Sequence, residues 1–454
     1  MAGNLTMDQL KAAVDAGEID TVVTGIIDMQ GRLMGKRFHA KHFLDAGWQE
    51  THGCNYLLAT DLEMNTVQGY QSTSWEKGYG DYVHKPDLST LRRIPWLPGT
   101  ALVLCDVLDH HTYEEIAISP RAILKKQVAR ARRLGFEPMM ATELEFFVFQ
   151  DSFTDLHDRG FRDLRTLGRF NVDYNIYGTT KDEPLMRAVR NGLYEAGIPV
   201  ENSKGEAEVG QEEINIRYSD ALDTADNHTI VKTAVKEIAH LQGISVTFMA
   251  KYDHRRAGSS SHIHQSLFQD GKNAFYDPDG PHGMSKLMTH YMAGLLAHAS
   301  DVTLFLAPYV NSYKRFCTGL FAPTKAVWST DNRTAGYRVC SAGSKSVRVE
   351  CRVGGADLNP YLAMAAELAA GLDGVERALT LEPEMSGDLY GNASARDVPK
   401  TLREAARLAD GSAMLRSAFG DEVVEHYLRN AAWEIETHER VVSDWEVAHG
   451  FEGA

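Results

Sequence analysis

Cysteine is scarce in this 454-residue sequence, and its arrangement matches no common framework. The five cysteines are widely spaced, and no Cys-x-x-Cys pair occurs. An odd number of distant cysteines argues against a disulfide framework or a cysteine zinc site and is typical of a reducing compartment. The N-terminus is acidic and amphipathic, without an apolar run behind a basic start, so it predicts no signal peptide. We therefore expect a cytoplasmic protein with free thiols.

The sequence also lacks an excess of positive charge. Lys and Arg total 47 against 62 Asp and Glu, which gives a formal net charge of −15 at pH 7. An acidic surface repels nucleic acids and anionic membranes. The most apolar long stretch, residues 291–310, is interrupted by His298, Ser300 and Asp301, and this predicts a buried helix and turn instead of a membrane span. We expect neither nucleic acid nor a membrane as a partner.

Standard nucleotide-binding motifs are missing as well. The sequence contains no Gly-x-Gly-x-x-Gly and no Gly-x-Ser-x-Gly segment. The segment GRLMGKR at 31–37 resembles a phosphate-binding loop, but it is one residue too short, and Arg37 stands where Ser or Thr would bind magnesium. Phosphate chemistry would therefore need a different arrangement of residues.

Residues 139–149, MMATELEFFVF, contain the first candidate site. If this segment is a strand, Glu143 and Glu145 lie on one face, whereas Leu144 and Phe146 lie on the other. Neighbouring carboxylates repel each other and resist burial. A chain tolerates them on a face that is open to water or that binds a cation.

Three later segments repeat this alternation. The polar residues that share a face are Glu213, Asn215 and Arg217 in GQEEINIRY, His262, His264 and Ser266 in SHIHQSL, and Arg348, Glu350 and Arg352 in KSVRVECRV. One alternating strand usually indicates only half exposure, but four together favour a shared site. Carboxylates with an occasional imidazole favour Mg²⁺ or Mn²⁺ over zinc. Such cations beside arginines suit phosphoryl transfer or phosphate-ester hydrolysis.

The length of the chain predicts at least two domains. Residues 1–108 indicate a small α+β domain with a mixed sheet, including a strand within 53–64, and residues 109–454 form the remainder. Ser119 should cap a helix that begins with Pro120, and another helix is predicted over 284–300. Asn359 should cap the first of the helices that dominate the C-terminal part.

Six segments together resemble the glutamine synthetase family along nearly the whole chain. They are TELEFF (142–147), EAEVGQEEI (206–214), FMAKYDHRRAGSSSHIHQS (248–266), NSYKRF (311–316), DNRTAGYRV (331–339) and KSVRVECRVGGADLNPYLA (345–363). The resemblance implies an α+β fold, with an N-terminal β-grasp domain over 1–108 and a catalytic domain over 109–454 whose antiparallel strands line a funnel. It also implies a homo-oligomer of stacked rings, a dodecamer, with active sites shared between neighbouring subunits.

The resemblance further implies the residues of the site. Two or three Mg²⁺ or Mn²⁺ ions are expected, one held by Glu145, Glu206 and Glu213 and another by Glu143, His262 and Glu350. The expected ATP contacts are Tyr218, His264, Ser266, Arg338, Lys345 and Arg348. The expected contacts to glutamate or to the phosphoryl group are Gly258, Arg315, Arg333 and Arg352. The implied reaction activates glutamate as γ-glutamyl phosphate, which a nitrogen nucleophile then attacks.

One departure from the family bears on that nucleophile. Ammonia-using members carry a glutamate six residues after the arginine that matches Arg315, and Phe321 stands at that position here. A phenyl ring accepts no proton, but it offers an apolar wall to an alkyl group and attracts an alkylammonium by about 0.5–2 kcal/mol. The sequence therefore predicts a substituted amine as acceptor, and Glu206, Tyr174 and Asp61 are the candidates to bind and deprotonate it.

The whole-chain pattern is most similar to the γ-glutamylamide synthetases. A small primary amine is expected, with methylamine favoured and ethanolamine a further possibility. The alternatives are ordinary glutamine synthesis from ammonium, a polyamine acceptor, or a non-catalytic relative, which would have lost metal ligands. Two other departures from the family occur. Ala257-Gly258 replaces the family's Asn-Gly, and Arg255 or Arg256 could compensate for the missing asparagine. The tyrosine motif that is modified in some bacterial members is not intact around Tyr390.

Overall fold

A computed structural model describes residues 3–453. The helices and strands of the N-terminal part are α1 (Met7–Asp15), β1 (Thr21–Ile27), β2 (Leu33–His39), α2 (Ala40–His42), β3 (Thr51–Cys54), β4 (Asp81–Pro86), β5 (Arg92–Arg93) and β6 (Thr100–Asp109). The strand order is β2-β1-β6-β4-β3, with β5 paired to β6. Strands β1 and β6 are parallel and the other pairs are antiparallel. The expected mixed sheet is confirmed, whereas the β-grasp assignment and the domain boundary stay predictions.

The rest of the chain forms a larger sheet covered by helices. Its strands are β7 (Glu137–Phe149), β8 (Val200–Gly205), β9 (Gln211–Ile216), β10 (Ser219–Asp220), β11 (Ser245–Thr247), β12 (Ile263–Gln269), β13 (Lys272–Asn273), β14 (Trp328–Thr330), β15 (Tyr337–Cys340) and β16 (Arg348–Cys351). The main strand order is β14-β15-β16-β12-β7-β9-β8. All neighbours from β15 to β8 pair antiparallel, as expected, and only β14 joins β15 in parallel.

The helices of this part are α3 (Pro120–Arg133), α4 (Phe153–Asp158), α5 (Ile176–Thr179), α6 (Glu183–Glu195), α7 (Ala221–Leu241), α8 (Lys286–Leu306), α9 (Pro360–Glu376), α10 (Leu402–Asp410), α11 (Ala413–Phe419), α12 (Asp421–Glu439) and α13 (Asp444–Gly450). Leu144 and Phe146 of β7 belong to the buried core that these helices cover. Glu367 of α9 accepts hydrogen bonds from Gln265 (2.7 Å) and Tyr337 (3.1 Å), which ties α9 to β12 and β15. The larger sheet therefore has one face in the core and one face free for a site.

Polar contacts join the N-terminal sheet to the helices. The Asn359 side chain caps α9 as predicted, because its Oδ1 accepts the amide of Tyr361 at 3.1 Å. Its Nδ2 also donates to the carbonyls of Asp28 (3.2 Å) and Met29 (3.0 Å) in the β1–β2 turn. One side chain therefore satisfies a helix end and holds the turn against it.

Three local predictions need correction. The strand expected within 53–64 ends at Cys54, because a 3₁₀ turn over Asn55–Leu58 follows. Ser119 precedes α3 but makes no capping hydrogen bond with its side chain. Helix α8 continues to Leu306, past the expected end at residue 300, and its last turn is buried in the core; Asp301 inside it accepts a hydrogen bond from Ser412 (2.7 Å). Within residues 3–453, no helix has the length and apolar composition needed to cross a bilayer.

Candidate active site

The four alternating segments lie on adjacent strands, and their polar residues share one face. Glu145 is paired with Glu213 across β7 and β9, and Glu350 is paired with His264 across β16 and β12. The intervening Leu144 points to the core. Because β7 lies between β12 and β9, the side-chain alternation of all four strands produces one continuous polar surface. This confirms the sequence prediction of a shared face.

The first group on this surface consists of three carboxylates. One oxygen each from Glu145, Glu206 and Glu213 lies within 4.8 Å of the others. Burial raises the pKa of Glu145 to about 7, and the charge of Glu206 adds to the effect. Burial also raises the pKa of Glu213 to about 9, with help from the charges of neighbouring carboxylates. A divalent cation would offset this repulsion, so the donor set fits Mg²⁺ or Mn²⁺.

The second group surrounds Glu143. Its carboxylate lies 2.7 Å from Nδ1 of His262 and 2.9 Å from Nε2 of His264. Burial alone would raise the pKa of Glu143, but the hydrogen bonds from both imidazoles outweigh it and hold the pKa far below its usual range. Glu350 lies 3.4 Å from Nδ1 of His262. Burial opposes ionisation of Glu350 too, but Arg352 and His262 lower its pKa to about 2.

The two histidines differ in what their nitrogens can do. Distances alone group His264 with Glu143 and Glu350 as potential metal ligands. However, Nδ1 of His264 accepts a hydrogen bond from Nε of Arg348 at 3.1 Å, so the proton of the neutral ring lies on Nε2, which donates to Glu143. No nitrogen of His264 is then free for a cation. This argument favours His262 over His264 as the ligand. The role of His264 as a phosphate contact, which the family resemblance implies, would also need a free ring nitrogen and stays a prediction.

Five of the six expected ATP residues line one cavity of about 440 Å³ next to the metal groups: Tyr218, His264, Ser266, Lys345 and Arg348. That volume suits a small-molecule ligand. The sixth, Arg338, donates to Glu350 at 3.1 Å and forms an ion pair with Asp331. Sequence reasoning missed Phe268, which also lines the cavity and lies 6.2 Å from the Tyr218 ring. Only the fold brings these two aromatic rings together.

Arg315 lies beneath the polar surface, and its expected contact to glutamate stays a prediction. Its side chain is 1% exposed. The guanidinium donates to Ser260 Oγ (2.8 Å) and to the carbonyls of Arg352 (3.0 Å) and Val353 (2.9 Å). Ser260 in turn donates its amide to Glu145 at 2.7 Å. In the described chain, Arg315 therefore holds the backbone beneath the site.

Gly258 must remain a glycine because of its surroundings. A Cβ at this position would lie 2.5 Å from the Ala250 carbonyl oxygen and 2.6 Å from Cγ of Arg315. Neither arginine of the adjacent loop is free to replace the family's missing asparagine. Arg255 forms an ion pair with Asp253, and Arg256 is bound to Glu208.

Arg352, Arg333 and Phe321 differ in how far they are exposed. Arg352 is 4% exposed and donates to Glu350 at 2.6 Å, whereas Arg333 is exposed. Phe321 is 55% exposed and has a left-handed φ of 53°, a backbone strain often found at functional sites. Its amide is close enough to Tyr390 to affect that phenol electrostatically.

The three candidates for amine binding have different surroundings. Glu206 forms an ion pair with Lys204, which sequence reasoning missed. Tyr174 is 68% exposed and lies over the same ammonium, 4.4 Å from Nζ to the ring centroid. Asp61 accepts a hydrogen bond from Trp433 at 3.1 Å, outside the metal groups of this chain. Lys204 and Glu206 are two residues apart at the end of β8, a spacing that places both side chains on one face of a strand. Lys204 was missed because no strand is predicted from the sequence over residues 200–205.

Comparison with known proteins gives a consistent family assignment. Residues 117–449 match the family model for the glutamine synthetase catalytic domain. The chain is 47% identical over 450 residues to the gamma-glutamylethanolamide synthetase GlnA4 of Streptomyces coelicolor, covering 99% of this chain and 96% of that relative. It is 36% identical over 439 residues to the glutamate–isopropylamine ligase of a Pseudomonas species, covering 96% and 95%. The solved structure "Apo GmaS without ligand" superposes with a TM-score of 0.86 at 26% identity, covering 98% of this chain and 100% of that one.

Proposed function

Because the chain belongs to the glutamine synthetase family of ATP-dependent carbon–nitrogen ligases, we propose that it joins the γ-carboxyl group of glutamate to a small primary amine. The single observation that carries this proposal is Phe321, which stands where the ammonia-using members carry a glutamate. Identity to two glutamate–amine ligases across nearly the whole chain supports the same conclusion.

The reaction has two steps. An oxygen of the γ-carboxylate attacks the γ-phosphorus of ATP, which gives γ-glutamyl phosphate and ADP. The amine nitrogen then attacks the acyl carbon, phosphate leaves, and the nitrogen loses a proton. Activation is needed because phosphate is a far better leaving group than a hydroxide-like oxygen.

Different residues of the chain would bind ATP, stabilise charge and hold cations in the first step. Lys345 and Arg348 line the same cavity as Glu143 and would bind the ATP phosphates. His264 would join them once its hydrogen bond to Glu143 is released. Arg352 would stabilise negative charge that develops on the acyl or phosphoryl oxygens. The carboxylate groups of Glu145, Glu206 and Glu213, and of Glu143 and Glu350 with His262, would hold two or three Mg²⁺ or Mn²⁺ ions. Bound cations of this kind offset charge on a transferring phosphoryl group.

The second step requires a pocket for the amine. Phe321 would supply an apolar wall for the alkyl group and attract the ammonium form through its ring face. Glu206, Tyr174 and Asp61 are the proposed groups for binding and deprotonating the amine. Within the chain, Asp61 accepts hydrogen bonds from Asn65 and Trp433, so we propose that it acts on the amine of a neighbouring subunit.

We propose ethanolamine as the preferred acceptor. The sequence favoured methylamine because Phe321 adds bulk, but a relative that is 47% identical along the chain is a gamma-glutamylethanolamide synthetase. Both amines are small and primary, so the proposed pocket chemistry suits either. A polyamine is disfavoured because the sequence around Phe321, residues 312–330, contains no Asp or Glu to hold a distant charge.

An amine panel tests this proposal. Purified protein with glutamate, ATP and Mg²⁺ would be offered ammonium, methylamine, ethanolamine, isopropylamine or putrescine, and the products identified by mass. We expect γ-glutamylethanolamide as the main product. If ammonium supports turnover as well as every amine, the Phe321 argument fails, and the enzyme is an ordinary glutamine synthetase.

Substitutions of Phe321 and of its neighbour Leu320 test whether the phenyl ring contacts the amine. Phe321→Ala should lower kcat/KM for ethanolamine about tenfold, because the apolar wall and ring face are lost. Phe321→Glu should improve the use of ammonium relative to ethanolamine. Leu320→Ala is the matched control, since Leu320 is adjacent and 38% exposed. An equal loss in Phe321→Ala and Leu320→Ala would assign the effect to flap mobility instead of amine contact.

We also propose a homo-oligomer of stacked rings. Val442, Trp445 and Phe451 near the C-terminus are 73%, 69% and 83% exposed, and clustered exposed apolar side chains are typical of interfaces. Light scattering on the purified protein should give about twelve times the 50.4 kDa chain mass.

A further inference from the structure

The hydroxyl group of Tyr390 is buried at the edge of the candidate active site. It has no role in the two reaction steps proposed above. Among residues 3–453, its Oη has no hydrogen-bond partner although the oxygen is shielded from solvent. A buried hydroxyl that makes no hydrogen bond destabilises a folded protein. Such a group is often satisfied by a ligand instead of by the protein.

The segment that carries Tyr390 is anchored beside the site. Leu389 is fully buried, and its amide donates to Oγ1 of Thr334 at 3.1 Å. Asn332 donates to the Gly387 carbonyl at 2.9 Å. These contacts tie the segment to the turn that carries Arg333, so the position of Tyr390 is built into the fold.

The groups around the Tyr390 oxygen are mostly positive or hydrogen-bond donors. Burial raises the pKa of this phenol, and the charges of Arg352 and Arg315 oppose that shift. The Phe321 amide acts in the same direction from nearby, but it does not meet hydrogen-bond geometry, so we treat the oxygen as unpartnered. The charge of Asp388 adds to the raised pKa, but no acceptor among the described residues is hydrogen-bonded to the phenol proton.

A second orphaned donor lies in the same region. Nε of Arg352 is buried and has no partner within the described part of the chain, although its Nη1 is bound to Glu350 at 2.6 Å. An N–H of a guanidinium and a phenol O–H that both lack acceptors form a site for an anionic oxygen.

We propose that Tyr390 is a substrate-binding residue whose phenol O–H donates to a carboxylate oxygen of glutamate, next to Arg352. This inference rests on the proposed function for the identity of the substrate. It gives the segment around Tyr390 a role in binding glutamate, and a buried oxygen is poorly placed for covalent modification.

The variant Tyr390→Phe tests the proposal because it removes only the hydroxyl group. We expect KM for glutamate to rise about tenfold or more, as for the loss of a hydrogen bond to a charged acceptor. KM for ATP and for the amine should stay within about twofold, and Tm should not fall. Calorimetry with glutamate, Mg²⁺ and a non-hydrolysable ATP analogue should show the same loss of affinity without any turnover.

Tyr70→Phe is the matched control. The Tyr70 hydroxyl is also buried and unpartnered in the described chain, but its ring packs 4.4 Å from His426 of α12. The Tyr70→Phe variant should therefore bind glutamate with the affinity of the wild type. An unchanged glutamate affinity in Tyr390→Phe, or an equal loss in Tyr70→Phe, would overturn the inference. If wild-type protein forms no γ-glutamylamide, the proposed function fails, whereas the calorimetric comparison still decides whether Tyr390 binds glutamate.

Discussion

Glu212 and Glu213 are neighbours in the sequence but have opposite surroundings in the fold. Glu213, on the polar face of β9, lies close to Glu145 of β7 and to Glu206. Glu212 points to the other face, where burial and then the neighbouring Asp182 raise its pKa to about 9. The pKa of Glu213 is raised to the same extent, but only Glu213 faces two other carboxylates, where a bound cation would favour its ionised form. Glu212 has no such partner and stays protonated at neutral pH.

This difference predicts opposite results for the same substitution. Glu213→Gln should lower ATP-dependent amide formation by 10²-fold or more, because it removes a metal-ligating charge. Glu212→Gln should retain activity, because an amide has the shape of a neutral carboxyl group. Both rates would be measured at saturating Mg²⁺. Similar losses in the two variants would show that the ligands are assigned wrongly.

Residues on the polar face could be predicted because their geometry is local. Alternation with period two decides the face of Glu143, Glu145, His262 and Glu350 wherever the segment forms a strand. Arg315 shows the limit of that reasoning. Its motif matches the family, but only the packing against Ser260 and Val353 shows that the side chain lies beneath the surface.

Helices α8 and α9 are joined by a charged clamp. His298 of α8 lies 2.8 Å from Asp373 of α9 through Nε2 and 3.2 Å from Asp301 through Nδ1. Burial lowers the pKa of His298, but the hydrogen bonds to both aspartates outweigh it and raise the pKa above 6.5. The imidazolium form is therefore the one that stabilises the helix pair.

The clamp predicts a pH-dependent stability. Because the pKa in the folded state is raised, the contribution is fully present below pH 6.5 and is lost as pH rises through the folded-state pKa. His298→Gln should lower stability by about 1 kcal/mol at pH 6, after allowing for solvent screening, and by less at pH 9.

Thermal unfolding at both pH values measures this effect. His157→Gln is the control, since the His157 side chain is 80% exposed, and it should match the wild type at both. A loss in His298→Gln that is equal at pH 6 and pH 9 would rule out a charged clamp. The sequence indicated His298 only as an interruption of an apolar stretch, because its partner Asp373 is distant in the chain.

At the scale of the whole molecule, Arg121 holds the N-terminal sheet against the catalytic part. Its guanidinium is almost fully buried and pairs with Asp87, Asp106 and Asp226. Asp106 belongs to β6 and Asp226 to α7, so one side chain of α3 links both parts. Removal of the cation would leave three carboxylates crowded together.

Arg121→Met should therefore lower the free energy of unfolding by about 3–5 kcal/mol, as expected when one partner of a buried charge network is removed. Lys125→Met is the matched control on the same helix. Lys125 also pairs with Asp106 but is more exposed. Its substitution should therefore lower the free energy of unfolding by less than about 1 kcal/mol. Urea unfolding of both variants compares them directly, and equal losses would contradict a special role for Arg121.

The sequence by itself determined the family, the four polar strands and their shared face, because motifs and side-chain alternation are local properties of the chain. Only the tertiary structure decided that Arg315 lies beneath the site and that the Tyr390 hydroxyl lacks a partner among the described residues. Those facts depend on contacts between segments far apart in the chain or on side-chain packing, and no local period encodes them.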